Sequence, residues 1–247
     1  MAGTQGVALS VVIPTLDESG VIESTLAAVG RLRAPAEVIV VDGGSTDGTP
    51  ALARKSGARV LSAQRGRGPQ LHAGACAARG EVLWFLHADT RPPEDAAEEI
   101  AEALREPAVV GGHFAISFDG PRRAARFLTW LYPYLRWLGL CYGDSGIFVR
   151  RADYEALGGF RPFPLFEDLD LLRRLRKRGR VARLPQAVVT SSRRFEGRSF
   201  VLTFAWWTVL QVLYWLGVSP HTLARLYAHV RGRPGEVAKG SCRGTCC

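Results

Sequence analysis

Two signatures that commonly mark nucleotide binding are missing from this chain of 247 residues. No G-x-G-x-x-G directly follows its first strand, and no Walker lysine motif occurs, which counts against dinucleotide redox chemistry and P-loop hydrolysis. Cysteine is scarce at five residues, and none of the spacings matches a structural zinc site. Cys242, Cys246 and Cys247 crowd the end of the chain and read as a frayed terminus. Cys76 and Cys141 have apolar neighbours and read as inert core thiols. No basic stretch precedes the N-terminal apolar run, so no secretory signal is expected and the cytoplasm is the default location. Arginines form no long tract and no nucleic-acid-binding signature appears, so nucleic acid is not expected as a partner. There is no internal repeat.

What is present describes an ordered, charged protein. Hydrophobic residues make up 47% and charged residues 22%, which excludes a disordered chain. A net charge of +9 calls for an anionic partner, and with nucleic acid set aside a phosphate-bearing substrate or a membrane surface fits better.

The apolar pattern alternates strand and helix. Residues 7–14 read as a first strand, followed by a helix with Ile22, Leu26 and Val29 on one face and Ser19 as its cap. Residues 37–41 form a second strand, and Thr49-Pro50 opens a helix. Val60 and Leu61 mark a third strand. A Gly/Arg-rich loop around Arg65 to Pro69 follows, then a helix over 71–78 stopped at Gly80. The run from Val82 to Leu86 is apolar throughout, as suits a strand buried on both faces of a parallel sheet. A helix over 94–104 and a strand over 109–118 come next. An aromatic segment at 127–140, a further strand after Gly143, a loop at 162–168 and a helix with Leu171, Leu172 and Leu175 on one face complete this part. Such strand–helix alternation predicts right-handed βαβ units and a Rossmann-like first half.

Four polar stations punctuate this layout. They are the turn Thr15 to Glu18, Asp42 with Ser45, His87 with Asp89, and Glu167 with Asp168. The first three follow strands and converge on one edge of a parallel sheet, where open α/β sheets bind ligands. An Asp there can hold a divalent cation, and the cation a phosphate. Each station alone also fits a turn or helix-start carboxylate. Their convergence is what points to a site.

Val12-Ile13-Pro14-Thr15-Leu16-Asp17-Glu18, Val40-Val41-Asp42-Gly43-Gly44-Ser45-Thr46-Asp47-Gly48-Thr49, His87-Ala88-Asp89, Glu167-Asp168 and Arg193-Arg194-Phe195 resemble, in order, the signatures of family 2 glycosyltransferases with the GT-A fold. More narrowly, Gly66 to Leu71, Phe85 to Thr90 and Tyr142 to Phe148 resemble the subgroup associated with arsenosugar biosynthesis and radical-SAM or selenodomain proteins. The resemblance implies an α/β GT-A fold: a mostly parallel sheet flanked by helices, a smaller acceptor-side region and a C-terminal apolar helix. It divides the chain into a nucleotide-sugar-binding half at 1–113, an acceptor and catalytic-base half at 114–195, an apolar helical segment at 196–230 and a tail at 231–247.

The implied function is inverting, metal-dependent transfer of a sugar from a nucleoside diphosphate, UDP in particular, to an acceptor hydroxyl. The implied acceptor is a lipid or an arsenosugar precursor. Thr15, Glu18 and Asp42 would cradle the nucleotide, with Asp42 accepting a base N–H and Ser45 and Asp47 shaping the turn beneath. Arg67 and Arg194 would lie near base or phosphates. Asp89 would bind Mn²⁺ or Mg²⁺, and Asp168 with Glu167 would supply the base. His87 stands where the family often has Asp, Phe195 where it has Trp, and Asp17 where Asn is common. A sugar-nucleotide nucleotidyltransferase and a non-catalytic nucleotide-sugar-binding or membrane scaffold are the competing readings. The first would want a Gly-rich basic turn after strand one, which Thr15 to Glu18 is not.

Residues 200–218 carry no charge over 19 positions, the minimum for a membrane span. Trp206, Trp207, Tyr214 and Trp215 suit an interface. Docking on the core or on a second copy, shallow contact with the inner face of the membrane, and a span are all open. Gln211 and the lack of a second such segment favour the first two.

Overall fold

The computed structural model describes residues 8–119, 130, 145–191 and 200–231, with side chains of the last segment described over 206–227. Apart from Trp130, the aromatic run at 127–142 lies outside the described residues, Cys141 included, as do Gly143, Asp144, Arg193, Arg194, Phe195 and the cysteine tail.

Three apolar strands build the first half. Strand β1 (Leu9–Thr15) is buried at every position, the polar Ser10 and Thr15 included, as suits a strand covered on both faces. It pairs in parallel with β2 (Ala36–Asp42), Thr15 opposite Asp42, and with β4 (Val82–Phe85), Val12 opposite Phe85. Strand β3 (Arg59–Ser62) extends β2 outward, again in parallel. Alternate side chains go to opposite faces, so two cores form. Val11, Ile13, Val40 and Trp84 pack with Ile22, Leu26 and Val29 of α1 (Ile22–Val29) and Ile100 of α4 (Ala96–Ala103). Val12, Ile39, Val41, Leu83 and Phe85 face Leu71 and Ala75 of α3 (Arg67–Ala77). Helix α2 (Thr49–Lys55) opens with Pro50 in its first turn, as expected.

Beyond Phe118 the sheet departs from the mostly parallel expectation. The eight strands run β3-β2-β1-β4-β7-β6-β8-β5. Strand β6 (Val109–Phe118) enters two places from β4, and β7 (Ile147–Arg150) fills the gap antiparallel to both. Strand β8 (Arg180–Thr190) is parallel to β6, and the short β5 (Thr90–Arg91) pairs antiparallel with β8 at the far edge. The sheet is therefore mixed. Helices α5 (Arg151–Ala156) and α6 (Glu167–Arg176) cover it, with Leu171, Leu172 and Leu175 of α6 buried on the α3 side.

Several local expectations need correction. Helix α3 starts at Arg67, within the predicted loop, because Gly66 at φ 135 turns the chain and Pro69 is tolerated in a first helical turn. It ends at Ala77, so Gly80 is not its stop; a side chain on Gly80 would lie 2.6 Å from the Ala8 carbonyl oxygen. Helix α1 has Val21 at its N-cap with no side-chain cap, and Ser19 instead donates its N–H to Asp47. Cys76 is exposed on α3, its Sγ 3.7 Å from His72 Nε2, and is not a core thiol. Glu167 and Asp168 lie inside the first turn of α6, not before it.

Helices α7 (Phe200–Trp215) and α8 (Pro220–Arg231) follow, joined through Gly217 at φ 91. Among the described residues no helix is long and apolar enough to cross a membrane. Leu210 and Leu223, both fully buried, pack instead against Leu165, Phe166 and Leu169 at the start of α6. Val209, Val212, Trp215 and Leu216 form an exposed stripe on α7 and the turn after it.

Candidate active site

The parallel registers put the ends of β1, β2 and β4 on one sheet edge, so the first three polar stations converge as expected. Asp42 is enclosed by donors. Its Oδ2 accepts N–H groups from Gly44 and Ser45 at 2.9 Å each, and its Oδ1 accepts hydroxyls from Ser45 at 2.5 Å and Thr15 at 3.2 Å. These four bonds fill the acceptor positions of a carboxylate. Burial pushes its pKa up, but the donors from Ser45, Gly44 and Thr15 outweigh it, and the carboxyl sits below its ordinary value.

Asp17 and Asp47 lace the first turn to the second. Asp17, left-handed at φ 54, donates its N–H to Ser45 Oγ and accepts from Thr46 N at 2.8 Å. Asp47 accepts from Ser19 N and from the Thr49 hydroxyl and amide, and these bonds hold its pKa far below the carboxylate range. Glu18 donates its N–H to the Thr49 hydroxyl at 2.9 Å. Gln70, which lies within the 66–71 motif and has no role implied there, ties the edge together from below. Its buried Nε2 donates to the carbonyls of Thr15 and Val41 at 2.8 Å each, and its Oε1 accepts from Gly66 N. A polar residue inside the buried face of α3 was the signal for it.

Asp89 closes the turn after β4. Its backbone oxygen accepts from Ser191, and the Ala88 carbonyl accepts from the Thr25 hydroxyl at 2.7 Å, so the turn is anchored from two sides. Its half-buried side chain offers hard carboxylate oxygen at the sheet edge. His87 beside it is 9% exposed. No group of three or more His, Cys, Asp or Glu gathers into a cation site among the described residues. The donor set still fits Mg²⁺ or Mn²⁺, which are commonly held by one or two carboxylates plus substrate phosphates.

The fourth station comes from the other half. Helix α6 carries Glu167, Asp168 and Asp170 in its first turn and Arg173, Arg174 and Arg176 in its last, matching the helix dipole. Glu167, buried, pairs with Arg67 Nε at 3.0 Å, so its carboxylate joins the α6 start to the first turn of α3. Arg67, expected near base or phosphates, is thus also a tie between the halves. Asp170 pairs with Arg174 at 2.8 Å and Arg161 at 3.3 Å. Asp168, between them and 7% exposed, accepts the Leu169 N–H at 2.7 Å. Gly68 makes the approach possible: a Cβ there would stand 2.7 Å from the Arg161 carbonyl oxygen. Phe166, just ahead of Glu167, is left-handed at φ 63, a conformation that costs a non-glycine residue roughly 1–2 kcal/mol.

Residues 10–152, more than half of the chain, match the family model "Glycosyl transferase family 2". The chain belongs to glycosyltransferase family 2. Glucosyl-3-phosphoglycerate synthase of Mycobacterium tuberculosis is 35% identical over 103 residues, 37% of this chain and 32% of that protein. An uncharacterized glycosyltransferase of Mycobacterium bovis is 38% identical over 85 residues, covering 34% and 38%. The chain thus spans about a third of the length of these curated relatives. Among solved structures, the M. tuberculosis synthase in complex with Mn²⁺, UDP and glucosyl-3-phosphoglycerate superimposes with TM-score 0.60 at 23% identity, covering 93% of this chain and 82% of that one. A Pyrobaculum calidifontis mannosyltransferase in complex with GDP-Man and Mn²⁺ gives 0.58 at 22%, covering 75% and 57%. These likenesses establish the shared α/β fold of this family 2 chain.

Proposed function

We propose that this family 2 chain is an inverting, metal-dependent glycosyltransferase that takes its sugar from a nucleoside diphosphate, UDP first among them. The observation that carries the reading is the Arg67–Glu167 ion pair, which joins the nucleotide-side edge of 1–113 to the acidic helix start of the acceptor half at 114–195. The Mn²⁺ and nucleotide ligands of the solved relatives support the donor and the cation. Thr15, Glu18, Asp42 and Ser45 form the nucleotide cradle. A base N–H reaching Asp42 would displace the longest of its four bonds, the one from Thr15. Arg67 and Arg194 stand for the phosphate side.

Asp89 would hold Mn²⁺ or Mg²⁺ against the diphosphate. Bound there, the cation neutralises the charge that grows on the leaving diphosphate. Asp168 takes the proton of the acceptor hydroxyl as its oxygen attacks the anomeric carbon, and the diphosphate departs from the opposite face. One displacement inverts the configuration. Glu167, held by Arg67, orients the helix start.

We assign the acceptor to a lipid, on the aromatic residues of the sequence from 127 to 142, or to an arsenosugar precursor, on the motifs at 66–71, 85–90 and 142–148. We place the protein in the cytoplasm, with its exposed stripe of Val209, Val212, Trp215 and Leu216 against the anionic inner face of the membrane, in keeping with the net charge of +9.

The test is donor hydrolysis across a nucleotide-sugar panel with and without Mn²⁺, repeated with Asp89→Ala and Asp168→Asn. Each variant is expected to lose about a hundredfold or more in kcat. Metal-independent turnover, or full activity in either variant, defeats the mechanism.

A further inference from the structure

The start of α6 is held from outside the sheet. Phe166 keeps a left-handed backbone although it has a side chain, and it is 2% exposed. Its ring lies 5.0 Å from the Tyr214 ring, tilted by 32°, and meets Trp207 edge-on at 6.1 Å. Trp207 in turn meets the Tyr227 ring of α8 at 5.2 Å, tilted by 54°, and Leu210 and Leu223 seal the contact against Leu165 and Leu169. Two residues past Phe166 is Asp168. Helix α6 has no side-chain cap at its N-terminus, so no local hydrogen bond of that kind fixes where the helix begins.

We propose that the α7–α8 hairpin positions the catalytic base: Tyr214 and Trp207 clamp Phe166 in its left-handed conformation, and that conformation sets the first turn of α6 with Asp168 aimed at the acceptor. The inference rests on Asp168 being the base. Tyr214 also lies within the field of this turn. Desolvation raises the pKa of its phenol first, and the Asp170 carboxylate and then Asp168 add to the rise, while Arg173 and Arg161 oppose it. Tyr214 acts through Phe166 and is a positioning residue. A glycine at 166 would adopt the left-handed conformation without a clamp. The hairpin is then a part of the catalytic apparatus and not only a covering of the core.

The experiment is a double-variant cycle on the full chain. UDP-sugar hydrolysis, with water as acceptor, is measured for Tyr214→Phe, Tyr214→Ala, Phe166→Gly, Phe166→Gly/Tyr214→Ala and Asp168→Asn, with UDP affinity by calorimetry. Tyr214→Ala is expected to lower kcat by about tenfold or more while donor KM and UDP affinity stay within about twofold. Tyr214→Phe, which keeps the ring, should retain wild-type kcat. Adding Tyr214→Ala to Phe166→Gly should cost nothing further. Wild-type kcat in Tyr214→Ala, equal losses of kcat and UDP affinity, or a full second loss in the double variant overturns the clamp. Full activity in Asp168→Asn overturns the assignment of the base, and the inference with it.

Discussion

At Asp42, four donors converge on one side chain, and the consequence is a pH signature. Its pKa is depressed in the folded protein, so the unfolded chain binds the proton more readily and stability rises with pH across the interval. The contribution is complete above the ordinary carboxylate value of about 4 and is lost as pH falls through the lower folded value. Asp42→Asn should therefore lower stability by roughly 1–3 kcal/mol at neutral pH. The gap to wild type should narrow in acid, as urea unfolding at neutral pH and near ~pH 3 will show. That Asp42 sits at a strand end was legible in the apolar run before it. That its partners are Thr15, Gly44 and Ser45 was half legible, because a Gly-Gly-Ser turn donates back to its own Asp. Gln70 was not: its acceptors, the Thr15 and Val41 carbonyls, are remote in sequence. Cys76 was misread because apolar neighbours in sequence are not neighbours in space, and on α3 the buried face runs through Leu71, Gly74 and Ala75.

Elements with a clean period were read well and elements without one were not. Strand β6 matched over its whole length, and the buried leucines of α6 marked its core face. Strand β8 went unread because Arg180, Arg183 and Pro185 interrupt its alternation, and its pairing with β6 carries register shifts. Helix α5 is too short to show a period, and α8 lay beyond the uncharged run that drew attention. Helix α3 shows how an element can be right and its bounds wrong, since two glycines and a proline at its start mimic a loop. The same helix yields a packing prediction. A Cβ on Gly74 would lie 2.3 Å from Val12 Cγ1 and 2.9 Å from Val41 Cγ2. Gly74→Ala should push α3 off β1 and β2 and lower the urea midpoint, by about 1–3 kcal/mol of stability.

On the scale of the whole molecule, one mixed sheet carries both halves, and β6 runs across the boundary drawn at 113. The sheet edge carrying Thr15 and Asp42 and the acidic helix start meet through α3, which contributes Arg67, Gly68 and Gln70 to the junction. Over 206–218 the hairpin divides the uncharged run into a face packed on the core and a face left outside. For the outer face we expect flotation with vesicles containing phosphatidylserine, lost on replacing Trp215 and Leu216 by serine. Unchanged flotation in that variant, or a concentration-dependent dimer without lipid binding, overturns the membrane placement.

The sequence by itself determined the parallel first half and the acidic stations at its edge, because both follow from local rules: apolar period, strand burial and turn chemistry. The tertiary structure decided which carboxylates serve the architecture. Glu167 belongs to Arg67 across the sheet edge, whereas Asp170 finds Arg174 one turn along its own helix and is not of this kind. It also decided that the C-terminal helices rest on Phe166. These are choices of partner between remote segments, made by which faces remain to be buried once the sheet has formed, and no local pattern encodes them.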